Sequence, residues 1–259
     1  MRKILFFFLF SVFMSCNSEH RDSQLLTCAD SLMEIRPDSA LTLLRMINKP
    51  SKLTHLQRAQ YALLLTQAND KNYISHKSDS LVRIAVDYYD KGIPNEFAAK
   101  SRYYLGRVYQ DMGNEVAATG EFLHAVRLLP ENAEKRFQML LYNDLADCTE
   151  SQGYYDLALK MFRKSYKVTM QRGDKKETFY SLRGIGGIYT LQNKPDSALH
   201  YYQRSLFTAR QAHDSLWISA TLCDIARVYN ERHQYEQAYS YAINSLRSTP
   251  PEHDLTPCR

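Results

Sequence analysis

The amino-acid sequence predicts an all-α protein in which helical hairpins stack into an α-solenoid. A segment of 40 residues repeats without a gap between Ala99 and Pro250. Helical periodicity is almost continuous from residue 25, and the two-residue alternation typical of strands is missing. A period this long, carried by small residues at fixed offsets, is typical of stacked helical hairpins. The small residues that recur at one phase of the four units are Ala118, Ala158, Ala198 and Ala238.

The first 15 residues are predicted to be a signal peptide. Arg2 and Lys3 form a basic start, and an apolar stretch from Ile4 to Met14 follows. Its 11 residues are too few to cross a bilayer about 30 Å thick, for which about 20 are needed. Cys16 comes soon after, and a small residue followed by Cys at the end of an apolar run resembles the lipobox of bacterial lipoproteins.

The lipobox resemblance implies that the leader is cleaved before Cys16 and that this cysteine carries lipid. Two or three acyl chains would anchor the protein stably, because burial contributes about 0.8 kcal/mol per methylene. The alternative is an ordinary cleaved signal followed by an incidental cysteine. The lipoprotein hypothesis predicts secretion across the inner membrane and attachment to a cell-envelope membrane, at its periplasmic face or at the cell surface.

Proline and glycine breaks give the order of the elements behind the leader. Residues 16–24 are predicted to be the lipidated cysteine and a polar tether, 25–249 the solenoid, and 250–259 a C-terminal tail. The breaks divide the solenoid into roughly twelve helices of about 11–20 residues. Two helices precede Pro50, and a second pair covers 54–72 and 78–91. Four aligned hairpins follow, in the repeats 99–138, 139–178, 179–218 and 219–250.

The unit from Ala99 to Pro130 resembles a tetratricopeptide repeat. That pattern asks for Leu-Gly and an aromatic residue in the first helix and for Gly at the turn. In the second helix it asks for Ala, an aromatic residue and Ala, followed by a closing Pro. The eight matching residues are Leu105, Gly106, Tyr109, Gly113, Ala118, Phe122, Ala125 and Pro130.

The resemblance implies a right-handed α-solenoid of about six hairpins, of which four match the repeat well. The two hairpins on the N-terminal side are degenerate, and Asp-Ser pairs beginning at Asp38 and Asp79 support them. The same pair begins at Asp196, where it is predicted to cap the second helix of a hairpin. The chain also resembles tetratricopeptide lipoproteins of Gram-negative bacteria and the extracytoplasmic repeat half of larger membrane-bound regulators.

One small-residue position of the repeat, which includes Gly106 and Gly186, is predicted to let the two helices of a hairpin approach closely. The run from Gly184 to Gly187 invites comparison with a dinucleotide-binding loop, but such a loop follows a strand and opens a helix. No strand is predicted before this run, and Gly186 occupies the packing position. We therefore interpret the run as a helix-packing feature.

Composition and charge exclude several classes of function. The chain holds 33 basic and 28 acidic residues, and without Arg2 and Lys3 of the leader the excess is 31 − 28 = +3. This excess is too small and too scattered to indicate nucleic-acid binding. The eight histidines show no metal-ligand spacing, and no Ser-His-acid order is evident. We therefore expect no enzyme activity, no metal and no cofactor.

The first helix of each hairpin is predicted to line a ligand-binding groove, because ligands of tetratricopeptide repeats often lie there. Arg107, Arg183 and Arg227 stand out with Tyr103 and Tyr180 beside them, since Arg and Tyr often carry interface hot spots. Such a groove could hold an extended peptide or an acidic segment, and the alternative is a solvated polar face. The predicted partner-binding residues are Lys100, Tyr103, Arg107, Asn143, Asp147, Tyr180, Arg183, Arg227 and Asn230.

These features predict a membrane-anchored scaffold that binds a protein or peptide partner. An alternative is the sensor-type extracytoplasmic repeat region of a signalling regulator, in a shortened form. A glycan-binding lipoprotein is a third hypothesis. The membrane is expected as a partner through the N-terminal lipid, and no nucleic acid is expected.

Overall fold

The computed structural model describes residues 20–173 and 175–249. The predicted signal peptide, Cys16 and the tail at 250–259 therefore lie outside the described residues. The described ranges contain twelve α-helices and no strand, which confirms the all-α class. None of these described helices is both long enough and apolar enough to pass through a bilayer.

The chain divides after Glu131 into two compact units, and the helices pair into three hairpins in each unit. This confirms the six hairpins predicted from the sequence. The helices of the first unit are α1 (20–32), α2 (Pro37–Arg45), α3 (His55–Lys71), α4 (Ser80–Tyr89), α5 (Glu96–Asp111) and α6 (Glu115–Leu128). Those of the second unit are α7 (Lys135–Ser151), α8 (Tyr155–Arg172), α9 (Lys175–Leu191), α10 (Pro195–Gln211), α11 (Ser215–Glu231) and α12 (Tyr235–Ser248).

Helix α1 extends further toward the N-terminus than the sequence predicts. Residues 20–24, which are predicted as part of the tether, are already helical. The Thr27 hydroxyl donates to the backbone carbonyl of Ser23 at 3.1 Å, as expected for helical backbone. The buried residues of α1 begin only at Leu26, which packs in a cluster with residues of α2 and α3. The first turn therefore carries no hydrophobic signal that a sequence pattern could detect.

Helix starts are fixed by polar caps and by proline. Asn95, Asn114 and Asp214 each accept a backbone N–H bond at the starts of α5, α6 and α11. The predicted cap at Asp196 is wrong, because α10 begins at Pro195 and Asp196 lies inside its first turn. Proline suits the first helical position, where its missing N–H would have no helical partner. The carboxylate in the first turn interacts favourably with the helix dipole instead.

The repeat appears in the backbone as a left-handed residue at the turn of successive hairpins. Glycine adopts a positive φ without steric cost, whereas the φ of 56° at Tyr73 is uncommon for a side chain with a Cβ atom. Tyr73 precedes Gly113 by 40 residues, so the hairpin of α3 and α4 shares the phase of the four units recognised by sequence. The residues in this conformation at 40-residue intervals are Tyr73, Gly113, Gly153, Asn193 and His233.

Aromatic rings packed on glycine set the spacing of the helices. A Cβ atom at Gly106 would lie 2.5 Å from the Phe122 ring, and one at Gly186 would lie 2.7 Å from the Tyr202 ring. Each pair joins the two helices of one hairpin. Phe122 and Tyr202 are fully buried, so neither ring has room to move aside. The packing role predicted for this repeat position is therefore confirmed at both glycines.

The glycine run of α9 divides into packed and open positions. A Cβ atom at Gly184 would lie 2.6 Å from the Phe162 ring of α8, in the preceding hairpin. At Gly187 the nearest atoms would be 3.8 Å away, which is ordinary contact. The whole run lies inside α9, and no strand precedes it in the described ranges. Gly184 and Gly186 thus serve packing, while Gly187 leaves space.

We predict opposite effects for the same substitution at two adjacent glycines. Gly187→Ala should raise the free energy of unfolding by up to about 1 kcal/mol, because alanine favours the helix and meets no close atom. Gly186→Ala should lower it by about 1–3 kcal/mol, because the added methyl group meets the Tyr202 ring. Thermal and urea unfolding of both variants measure the difference, and equal effects would contradict the described packing.

We also predict that Tyr73→Gly stabilises the protein. The side chain of Tyr73 is 96% exposed, so its removal costs little packing while the left-handed backbone is relieved. The expected gain is about 0.5–1 kcal/mol, after the entropic cost of glycine is subtracted. The matched control is Tyr239→Gly, at an exposed tyrosine inside helix α12, which should lower stability by a similar amount because glycine is costly in a helix interior. A loss of stability in the Tyr73 variant would contradict this account.

Candidate functional site

In the first unit, the predicted groove residues are held by partners within the unit. Arg107 Nε donates to Asp70 Oδ1 of α3 at 2.9 Å, and the ammonium group of Lys100 lies 2.8 Å from Glu96. Tyr103 is only 4% exposed, and its ring packs 5.5 Å from that of Phe122. Tyr103 therefore offers a ligand almost no surface, because it completes the interior of its hairpin.

In the second unit, two predicted arginines converge on one carboxylate. Arg183 Nε of α9 donates to Asp224 Oδ2 at 2.5 Å, and Arg227 donates to Asp224 Oδ1 at 3.1 Å. The Asp224 side chain is 8% exposed, whereas those of Arg183 and Arg227 are 35% and 50% exposed. This ion pair joins α9 to α11 and occupies both guanidinium groups at the position where an acidic ligand was expected.

A second polar contact links α7 to α9. The Tyr180 hydroxyl donates to Asp147 Oδ2 at 2.7 Å. Burial raises the pKa of Asp147 to about 7; the hydrogen bond from Tyr180 opposes this rise, and the charges of Asp144 and Glu150 add to it. Burial, and then the charge of Asp147, raise the pKa of Tyr180 as well. The pair therefore favours a neutral tyrosine beside a carboxyl group that changes charge near neutral pH.

Glu150 lies one turn beyond Asp147 on α7. Burial raises its pKa, while the charges of Arg183 and Arg227 act in the opposite direction. Within the described part of the chain, neither Asp147 nor Glu150 has a cation within ion-pair distance. Two partly buried carboxyl groups thus lie next to arginines that are already paired with Asp224.

These side chains enclose a small cavity, which we call the charged cavity. Its volume is about 150 Å³. Gly187 leaves the cavity open, because a Cβ atom there would lie 3.8 Å from both Glu150 Oε1 and the Tyr202 hydroxyl. The cavity lies wholly within the second unit. Its lining residues are Asp147, Glu150, Phe162, Tyr180, Arg183, Gly184, Gly187, Tyr202, Asp224 and Arg227.

Trp217, the single tryptophan of the chain, supports the rim of the charged cavity. Its ring stands edge-on to Tyr180 at 5.5 Å, and the Arg183 guanidinium lies over it at 5.6 Å. A cation over an aromatic face is held by the ring quadrupole. Trp217 therefore restrains two of the side chains that line the cavity.

Only part of the predicted site comes together in this cavity. Asp147, Tyr180, Arg183 and Arg227 line it, as their repeat positions suggest. Asn143 is buried, and its Oδ1 has no hydrogen-bond partner within the described residues. Asn230 is exposed in the last turn of α11 and is not part of the lining.

Sequence reasoning missed Asp224, although this residue organises both arginines. It lies next to a groove position in the repeat, and its register places it between the groove and the interior. The acidic residue at the same phase of an earlier unit, Asp144, is the one signal that could have indicated a charged layer here. Among the described residues, no group of three or more His, Cys, Asp or Glu could hold a metal ion.

Comparisons with known proteins agree with this architecture. Residues 136–211 and 178–247 match a family model described as tetratricopeptide repeat. The chain is similar to BtubC (BKLC) from P. vanneervenii, with 14% identity, 93% of each chain covered and a TM-score of 0.63. No curated protein matches the chain.

Two Rap structures are also similar. Apo RapI shares 12% identity over 87% of this chain and 65% of its own, with a TM-score of 0.72. A Rap protein complexed with Competence and Sporulation Factor shares 13% identity over 89% and 66%, with a TM-score of 0.64. Identities this low show the fold alone. The family match lies within the second unit, and tetratricopeptide repeats have a fold that is typical of protein–protein interaction.

We predict that Asp147 makes stability depend on pH. A pKa of about 7 in the folded protein, against about 4 in the unfolded chain, means that the folded state binds the proton more tightly. The contribution of Asp147 to stability is then fully present below about pH 4 and is lost as pH rises through 7. Asp147→Asn keeps an acceptor for Tyr180 and removes the charge, so its Tm should exceed that of the wild type at pH 8 and match it near pH 4.

The expected gain for Asp147→Asn at pH 8 is on the order of 1–3 kcal/mol, a Tm shift of several degrees. The control is Asp87→Asn, at an exposed carboxylate of α4 in the first unit. The control should leave the pH profile of the wild type unchanged. An Asp147→Asn profile parallel to that of the wild type would show that this carboxyl group does not titrate as described.

Proposed function

We propose that the protein is a non-enzymatic scaffold that holds an extended segment of a partner protein against the charged cavity of its second unit. The repeat family supports this proposal, since tetratricopeptide repeats are generally binding modules. The observation that carries it is the cavity itself, in which Asp147 and Glu150, with no cation of the described residues at ion-pair distance, lie beside a space left open by Gly187.

The size of the cavity favours a side chain as the occupant. Pockets that enclose a whole small molecule usually measure about 300–1,000 Å³. A volume of about 150 Å³ is enough for the end of one long side chain or for a few water molecules. A peptide that lies across α7, α9 and α11 could insert such a side chain while its backbone stays outside.

The charges favour a basic side chain. The cavity has three carboxyl groups against two guanidinium groups, and both guanidinium groups contact Asp224. An incoming ammonium or guanidinium group would offset the one excess negative charge and favour the charged forms of Asp147 and Glu150, which burial now disfavours. The sequence alone favours an extended peptide or an acidic segment. We now propose an extended peptide with a lysine or arginine at this position.

The proposed scaffold is anchored to a cell-envelope membrane through lipid on Cys16, as the leader and the lipobox resemblance suggest. This part of the proposal has its own test. Wild-type protein should fractionate with membranes, and Cys16→Ala should release it. A Cys16→Ala protein that stays with the membranes would rule out lipid as the tether.

A second candidate function is the sensing of a ligand by the extracytoplasmic part of a signalling regulator. The similar Rap protein, which was solved as a complex with Competence and Sporulation Factor, favours this alternative. The two candidates differ in what binding does. A sensor changes the state of a partner when its ligand binds, whereas a scaffold keeps the partner in place.

We predict that filling the cavity abolishes partner capture. In crosslinking and pull-down from the native host, Gly187→Leu should lose the specific partners, because the added side chain occupies the cavity. The matched control is Gly120→Leu on α6 of the first unit, where a Cβ atom would meet nothing within 4 Å and no cavity is filled. It should retain every partner. Identical partner sets for Gly187→Leu and the wild type would refute the proposed site.

A direct binding measurement can use Trp217 as the only indole reporter. A short Gly-Ser peptide with one central arginine should change the Trp217 fluorescence, and the same peptide with glutamate should not. The affinity should weaken below pH 7, because a protonated Asp147 no longer attracts a cation. The other charged groups near the bound cation are Glu150 and Asp144 on α7, Arg183 on α9, and Asp224 and Arg227 on α11. Preference for the glutamate peptide would favour the acidic-segment hypothesis instead.

A further inference from the structure

Helix α8 carries a row of basic side chains on one face. Lys160, Arg163, Lys164 and Lys167 are spaced at i, i+3, i+4 and i+7, which places them side by side along two helical turns. The row spans about 10 Å of helix axis. We call it the α8 basic row. Its members, together with Asp156 and Leu159, surround a surface depression of about 450 Å³.

The α8 basic row lacks carboxylate partners within the described residues. Arg163 donates to the Tyr189 hydroxyl at 2.7 Å, and the ammonium group of Lys164 lies 5.2 Å above the Tyr142 ring. Lys160 and Lys167 are exposed and have no contact of this kind. The nearby acid, Asp156, accepts a hydrogen bond from Gln192 at 3.3 Å. Four positive charges therefore lie together against one negative charge.

The concentration of charge on α8 is unusual for this chain. From Tyr155 to Arg172 the helix carries five basic residues and one acidic residue, so its formal charge is 5 − 1 = +4. The corresponding second helix of the next hairpin, α10, carries two basic residues and one acidic residue, or +1. The whole chain has a formal charge of only +5. Much of the net charge of the chain is thus concentrated on this one helix, with four of its five basic residues in the α8 basic row.

We propose that the α8 basic row binds the anionic headgroups of a phospholipid bilayer. The depression that the row surrounds is lined by a single apolar residue, the partly buried Leu159, whereas specific protein interfaces usually depend on large aromatic or aliphatic anchors. Long, hydrated lysine side chains suit the diffuse negative charge of headgroups, where each cation adds about the same attraction. This surface is separate from the charged cavity and would give the second unit a contact with the membrane that does not depend on the lipid proposed for Cys16.

The test uses the chain from residue 17 onward, which lacks Cys16 and its proposed lipid but retains every described residue. Vesicles of phosphatidylcholine with about one third phosphatidylglycerol should bind this protein in a flotation assay, and pure phosphatidylcholine vesicles should not. Binding should fall steeply as NaCl rises from about 0.05 to 0.5 M, because salt screens exposed charges. Lys160→Glu together with Lys167→Glu should weaken binding at least roughly tenfold.

The matched control is Lys77→Glu together with Lys91→Glu, which makes the same change in net charge at exposed lysines of the first unit. It should bind as the wild type does. Equal losses in both double variants, or equal binding to neutral vesicles, would overturn the proposal. Capture of a hexaglutamate peptide without vesicle binding would also overturn it, in favour of an acidic protein partner. Gly187→Leu should still float with the vesicles, so failure of the peptide site and failure of this one can be distinguished.

Discussion

The fit of an aromatic ring against the backbone of a neighbouring helix is the constraint on which this structure depends. The Phe122 ring occupies the space that a side chain at Gly106 would need, and the Tyr202 ring does the same at Gly186. The Phe162 ring uses the same contact with Gly184 to join one hairpin to the next. Interiors of proteins are close-packed, so these contacts leave the helices little freedom to change their separation. The position of α9 between α8 and α10, and with it one wall of the charged cavity, follows from this spacing.

The carboxyl groups on these helices differ in how far ion pairing compensates for their burial. Asp224 is almost buried and is stabilised by two arginines, whereas Asp147 has only a tyrosine hydroxyl. Burying a charge without a counter-ion costs free energy, and for Asp147 this cost raises the pKa of the carboxyl group. A binding surface can retain such a group because a ligand of opposite charge removes the penalty. The same interaction that weakens the isolated fold can thus strengthen the complex.

Much of the fold could be predicted from the sequence, because small residues at fixed spacing report directly on how closely helices approach. The four repeated hairpins and the packing role of Gly186 followed from that spacing, whereas the helical class followed from periodicity and the two N-terminal hairpins from proline and glycine breaks and Asp-Ser pairs. The start of α10 did not, because Pro195 and Asp196 both favour a helix start and only geometry decides between them. Ion pairs were also beyond the sequence, since Arg183 reaches Asp224 in the next hairpin, 41 residues away. The net charge of the whole chain also gave no indication of the α8 basic row, because a sum over all residues does not show that positive charge is concentrated on one helix.

Gly187 affects the volume of the charged cavity but not the packing between helices. The neighbouring glycines are fixed by rings that pack on them, so their identity belongs to the fold. No ring packs on Gly187 in this way. A different residue at this position would therefore change the volume of the cavity without altering the distance between helices. Each repeat has a corresponding position on its first helix. Arrays of this kind can therefore acquire or lose a binding pocket by single substitutions, while the hairpins that display it stay as they are.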